Sequence, residues 1–283
     1  MVYNHKMKKI SLFAFSHELL ISQSIAEKIQ GLNTLYCAWL QDNIIFDNDY
    51  PVTTTVESGL PANLKLVAPK HLRRRRLYSE QGRAAMIHAI LHIEFNAVNL
   101  ALDAVYRFRA MPLAYYGDWL RVAREEGYHF QLLQQHLQSL GFDYGAFPAH
   151  LGLWEMAQKT AYDVLARMAL VPRLLEARGL DVTPTVAKRL CEAKDSVAAE
   201  ILAIIFHDEI GHVAVGNRWY HYLCAERQLP SLPTFLDLLK QHAPDYVRGP
   251  LFLEGRRQAG FQEDELTLLN SIIDKTIKIE EAS

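Results

Sequence analysis

Two pentapeptides, Glu125-Glu126-Gly127-Tyr128-His129 and Asp208-Glu209-Ile210-Gly211-His212, share one form, acid-Glu-x-x-His. Each sits in a long stretch whose apolar residues recur at i, i+3, i+4 and i+7. Runs of alternating β-branched residues are nearly absent, so the chain reads as all-α. On a helix, a Glu and a His three residues apart leave from one face and can hold a metal ion together.

Working outward, the first motif lies on a helix expected from Tyr115 to Leu140 and closed by Gly141. A preceding helix is expected from Ser79, a plausible N-cap, to Arg109, with Met111-Pro112 marking its end. The short connection makes the two antiparallel neighbours. The second motif lies on a helix from Asp195 to Arg227, ending before Pro230. Its partner is expected from Leu153 to Arg178, kinked by Pro172 and interrupted over Gly179–Pro184, with a short continuation over 185–194. The Gly-, Pro- and aromatic-rich link 141–152 is long enough to serve as a crossover.

Each partner helix offers one acid. Glu94 stands among apolar neighbours, where an unpaired carboxylate is costly to bury, and Glu176 is its counterpart. Glu126 follows Glu94 by 32 positions, and Glu209 follows Glu176 by 33. In an antiparallel pair, residues equidistant from the turn share a height, so each single Glu falls level with its motif. Two such hairpins docked together would place Glu94, Glu126, His129, Glu176, Glu209 and His212 at one level of a four-helix bundle.

Four buried carboxylates repel one another and become protonated unless cations neutralise them. Two divalent ions would supply that charge. Carboxylates and imidazoles without thiolates suit two Fe ions or Mn, with Zn also accepted. Glu155 and Asp163 are the alternatives to Glu176 on its arm. Glu125 and Asp208, each one residue before a motif Glu, are candidate acceptors for the second N–H of a ligating imidazole. His88 and His92, one to two turns before Glu94, either line a pocket or serve as hydrogen-bonded core histidines.

The remainder of the chain frames this arrangement. Residues 11–40 read as one or two amphipathic helices, 41–78 as an irregular strap, and the tail as short helices near 233–242, 250–260 and 263–279. The expected divisions are 1–78, 79–228 and 229–283. With 283 residues, half of them apolar, the chain can bury a substantial core, and a formal net charge of −2 gives no reason to expect a polyanion partner. Cys37, Cys191 and Cys224 fit neither a zinc pattern nor a disulfide framework. A reducing, cytoplasmic setting is the expectation. The apolar stretch Ile10–Phe15 is too short for a secretory signal, and no run approaches the ~18 to 20 apolar residues that span a bilayer. Arg73–Arg76, with Lys70, reads as a solvated basic face or as contact to a phosphate-bearing substrate.

At these residues the chain resembles the ferritin-like superfamily, and more closely a bacterial family within it that is known as a domain of unknown function. The resemblance runs through Gly82-Arg83-Ala84-Ala85, His92-Ile93-Glu94, Asp118-Trp119-Leu120, Phe147-Pro148-Ala149-His150, Leu153-Trp154-Glu155, Val171-Pro172-Arg173 and Glu176-Ala177-Arg178-Gly179, together with both His-bearing motifs. It covers roughly 65 to 265. It implies a ferritin-like four-helix bundle with extra N-terminal and C-terminal helices, and the six metal ligands named above. The superfamily includes a tRNA-hydroxylating di-iron enzyme, ferroxidases, desaturases and rubrerythrin-type peroxidases. The expectation is therefore an O2-dependent di-iron oxidoreductase acting on a small-molecule or RNA-linked substrate with an electron donor. The alternative is a metal-handling ferroxidase without an organic substrate. A homodimer is compatible with this, no membrane association is expected, and the interruption after Glu176 would open a path for substrate.

Overall fold

The structure, a computed structural model, describes residues 9–53, 57–72 and 75–274. Arg73, Arg74 and the end of the last expected helix, 275–279, lie outside the described residues. The fold is all-α. Its helices are α1 (Leu12–Ile21), α2 (Ile25–Leu40), α3 (Glu80–Arg107), α4 (Leu113–Ser139), α5 (Gly152–Lys159), α6 (Val164–Leu170), α7 (Ala177–Glu192), α8 (Ser196–Glu226), α9 (Ser231–His242), α10 (Leu253–Gln258) and α11 (Glu263–Ile273). Two short parallel strands, β1 (Ile10–Ser11) and β2 (Ile44–Ile45), pair within the N-terminal region. Among its described residues, the strap that follows β2 holds a 3-10 turn, Pro69–His71, and an isolated bridge from Leu66 to Ala149.

Local chemistry explains the helix ends. The Gly82 amide donates to the Ser79 hydroxyl, capping α3, and the Ala198 amide donates to the Asp195 carboxylate, capping α8. Gly141, at φ +79°, closes α4 in the left-handed conformation that glycine adopts without cost.

Contacts sort the chain into two units that interleave along the sequence. The first comprises Met1–Leu72, His88–Gln134 and Asp143–His150; the second comprises Arg73–Ile87, Gln135–Phe142 and Leu151–Ser283. In the first, α3 is buried all round from Glu94 to Tyr106. Tyr115 and Tyr116 at the start of α4 donate back to the Ala104 and Phe108 carbonyls, closing the turn between the two helices. Helix α3 is long and apolar enough to cross a bilayer by length and composition, contrary to expectation, but 72% of its most apolar window is buried within protein.

The second unit departs from the expected helix pattern. Instead of one kinked helix from Leu153 to Arg178, the chain forms α5, breaks, and restarts as α6. Arg167, wholly buried, donates to the Thr160 hydroxyl and the Ala157 carbonyl and so staples the break. Asp163 caps the restart through the Leu165 amide and forms a bidentate pair with Arg227. After α6 the backbone adopts a π-helical turn over Val171–Glu176, with Pro172 at its start, where a missing N–H costs least. Pro172 nests against α8 at Gly216, where a Cβ would lie 2.4 Å from the proline ring, so only glycine fits there.

The expected interruption at Gly179–Pro184 does not occur, and with it goes the proposed opening after Glu176. Helix α7 runs straight through Pro184 and packs along α8. An interior proline costs about 3 kcal/mol in an isolated helix. Tertiary contacts offset this here: one turn earlier, buried Asp181 accepts two hydrogen bonds from Arg256, at 2.9 and 2.8 Å, and one from Arg178 at 3.2 Å.

Candidate metal centre

In the first unit, α3 presents Glu94 and α4 presents Glu126 and His129, one turn apart on a shared face. His129 Nδ1 lies 3.2 Å from a Glu94 oxygen and 3.4 Å from a Glu126 oxygen. The three are 5%, 2% and 0% exposed, and their ligand atoms all lie within 4.8 Å of one another. Gly127, inside the motif, lets Leu32 and Ile29 of α2 close over α4; a Cβ there would meet them at 3.1 and 3.3 Å.

The electrostatics of this cluster call for a cation. Burial raises the Glu94 carboxyl well above the usual carboxylate range, and the neighbouring Glu126 raises it further. Burial works against a charge on His129, but hydrogen bonds to Glu126 and Glu94 outweigh it and hold the imidazole up at about 11. Without an ion, a proton on His129 is the positive charge that keeps two buried carboxylates together. A divalent ion at the same point would replace that proton with twice the charge, and the donor set of carboxylate oxygens and imidazole nitrogen fits Fe, Mn or Zn.

Phe95 and Phe130, the residues that follow Glu94 and His129, belong to an aromatic cluster that the sequence did not reveal. Phe95, Phe130 and Tyr144 meet pairwise at 5.4 to 5.6 Å. His92 donates through Nε2 to the His150 carbonyl at 2.9 Å, which leaves Nδ1 to accept the Tyr144 hydroxyl at 2.7 Å. His88 accepts the Gly145 amide through Nε2. Burial pushes both imidazoles down to about 4, so both are neutral at physiological pH; His92 adds to the effect on His88. Of the two roles expected for His88 and His92, the structure supplies hydrogen-bonded core positions, pinning 144–150 onto α3. Lys28 of α2 is a second residue without a sequence signal. It is wholly buried, donates to Leu20 O, Gly59 O and Asn99 Oδ1, and stands 5.1 Å over the Phe95 ring. Its spacing to Leu32 and Leu35 on the apolar face of α2 was the available clue.

In the second unit, α8 presents Glu209 and His212 in the same relation, with Nδ1 3.4 Å from a carboxylate oxygen; the side chains are 12% and 0% exposed. Gly179 of α7 faces the Glu209 carboxylate, which lies 3.6 Å from where its Cβ would be. Glu176 ends the π-helical turn packed on α8 and is partly buried. Of its alternatives, Asp163 is committed to its cap and to Arg227, and Glu155 is exposed on α5. Asp208 is partly buried. Glu125 pairs with Arg121 one turn back, at 3.1 Å, on a partly exposed flank of α4.

Residues 21–267 match a protein family described as a protein of unknown function, DUF455. The chain belongs to the DUF455 family. A Haemophilus influenzae protein described as uncharacterized is 46% identical to it over 262 residues, covering 89% of this chain and 91% of that one. The DUF455 match begins well before residue 65, where the expected resemblance started, and takes in α2, whose Lys28, Ile29 and Leu32 touch the residues around the cluster. No solved structure matches the chain.

Proposed function

We propose that this DUF455 chain is a ferritin-like protein with a carboxylate-bridged two-metal centre, in which Glu94, Glu126 and His129 are joined by Glu176, Glu209 and His212. The reading further takes the protein to be an oxidoreductase that uses O2 at two Fe ions. What carries it is the buried triad, in which two carboxylates share one imidazole, on a motif repeated in α8 with an acid 33 positions earlier. When bound, the metal pair would supply a redox-active Lewis-acidic site. The chain's part is to orient and exclude. The burial of all three triad residues keeps bulk water from them. Neutral His88 and His92 fix the segment that carries Tyr144.

The test is metal content and O2 uptake of the full-length protein. Two metal ions per chain are expected, with O2 consumed by the reduced, iron-loaded form. Glu126→Ala or His212→Ala should lose metal and uptake together. Loss of metal with uptake intact would sink the oxidoreductase reading. A cage assembly on size exclusion, with iron oxidised and retained, would turn the assignment to the ferroxidase alternative.

A further inference from the structure

The second unit holds a cleft lined by Arg173, Arg178, Arg248 and Arg256 together with Phe235, Tyr246 and aliphatic side chains, and among the described residues no acid lines it. Four guanidinium groups in one small space demand counter-charge. Two carboxylates reach them from outside the lining: Glu265 pairs with Arg173, and Asp181 pairs with Arg256 and Arg178. Arg248 donates only to the Asp245 carbonyl among the described contacts. Among the described residues, four positive charges against two negative ones leave the cleft with an excess of two.

Arg173 shows where an anion would sit. It is 0% exposed and stacked at 4.2 Å on Tyr220 and 4.4 Å on Phe235. Stacking on ring faces fixes the guanidinium plane but leaves its in-plane N–H groups needing acceptors. Nε has Asn217 and Nη2 has Glu265. Nη1 is buried and has no acceptor among the described residues. A buried charged donor left unmatched is costly, and a ligand oxygen would remove that cost.

We propose that this cleft is a binding site for a phosphate group, held by Arg173 Nη1 from within and by Arg248 at the mouth. A phosphate carries nearly two negative charges at neutral pH, which matches the excess, and its oxygens suit the arginine fork. The site does not depend on the metal reading, since none of its residues is a candidate ligand.

The probe is inorganic phosphate, titrated into the full-length protein at constant ionic strength with chloride as the control, and followed by calorimetry and thermal melting. Saturable binding is expected, with melting raised by about 2 to 3 °C at ten times the Kd. Removing Arg173 would threaten the fold, so the exposed Arg248 carries the mutational test. Arg248→Ala should melt as the parent does without phosphate, bind phosphate about tenfold more weakly, and be partly rescued by Arg248→Lys. Phenyl phosphate separates the two sources of the group. Tighter binding than inorganic phosphate assigns the site to a phosphate borne on a larger molecule, using the Phe235 and Tyr246 walls, and weaker binding assigns it to the free ion. Absence of saturation, an equal response to chloride, or unchanged affinity in Arg248→Ala overturns the proposal.

Discussion

The triad on α3 and α4 and the pair on α8 carry the same Glu-x-x-His spacing in different surroundings. Glu126 and His129 are buried, with α2 closed over Gly127 between them and with Glu94 beside them on a stretch of α3 buried all round. Glu209 is 12% exposed, and the acid expected to accompany it sits on a π-helical turn instead of a regular helix. The contrast separates two jobs. A buried site fixes geometry and holds charge at high cost, whereas on the proposed centre the half bounded by an irregular, partly accessible segment is where ligands and solvent would reach an ion.

The largest expected effect breaks the symmetry of the two motifs directly. On the proposed centre Glu126 belongs to the sealed half, so Glu126→Ala should strip both ions, while His212→Ala should leave about one per chain; mass spectrometry of the purified proteins counts them. Next in size is Gly216→Ala. Its Cβ would strike Pro172, so a cost of about 1 to 3 kcal/mol is expected in chemical denaturation, with weaker metal retention because the π-helical turn bearing Glu176 is displaced. An intact metal content in that variant would show that the turn is not part of the centre.

A third prediction concerns pH and the sealed side alone. Burial drives the Lys28 ammonium down to about 7 from an ordinary 10.5. Between those values the unfolded chain binds the proton more readily than the folded one, so stability gains from this residue as pH rises from 7 to 10.5. The metal-free triad acts oppositely. Glu94 and His129 both have raised values in the fold, so their contribution is full below about 4.5 and 6.5 respectively and is lost as pH climbs. Lys28→Met should therefore abolish the alkaline gain, read as the difference from the parent in urea midpoints at pH 6.5 and 9.5. An unchanged difference would mean that Lys28 stays charged throughout. The smallest effect is that of Arg121→Ala, which breaks a partly exposed i,i+4 pair with Glu125 and should change stability by no more than about 0.5 kcal/mol. Loss of metal in that variant would give Glu125 a part in orienting His129.

Legibility in the sequence followed the range of the interaction involved. Ser79, Asp195 and Gly141 act on backbone groups within a few residues, and the helix ends they mark fall where expected. The equal offsets within two hairpins needed only helix period and a short turn, so the triad and the pair could each be named beforehand. Pro184 misled because whether an interior proline breaks a helix depends on Asp181, Arg256 and α8, none of them local. Arg167, which staples the unforeseen break after α5, works through a side chain no pattern distinguishes from a surface arginine. Tyr144 became visible only once burial was known, since nothing in its immediate neighbours sets it apart, and for Lys28 the spacing to Leu32 and Leu35 was the one hint of a buried position.

Helix α3 has one more consequence, for synthesis rather than catalysis. A segment that meets the length and hydropathy of a membrane span emerges from the ribosome before α4, which supplies His129 and the Tyr115 and Tyr116 contacts that cover it. At about 5 to 20 residues per second, α4 follows within seconds. Until it docks, the nascent chain displays a long apolar segment without its cover, and the short link 108–112 keeps that interval brief.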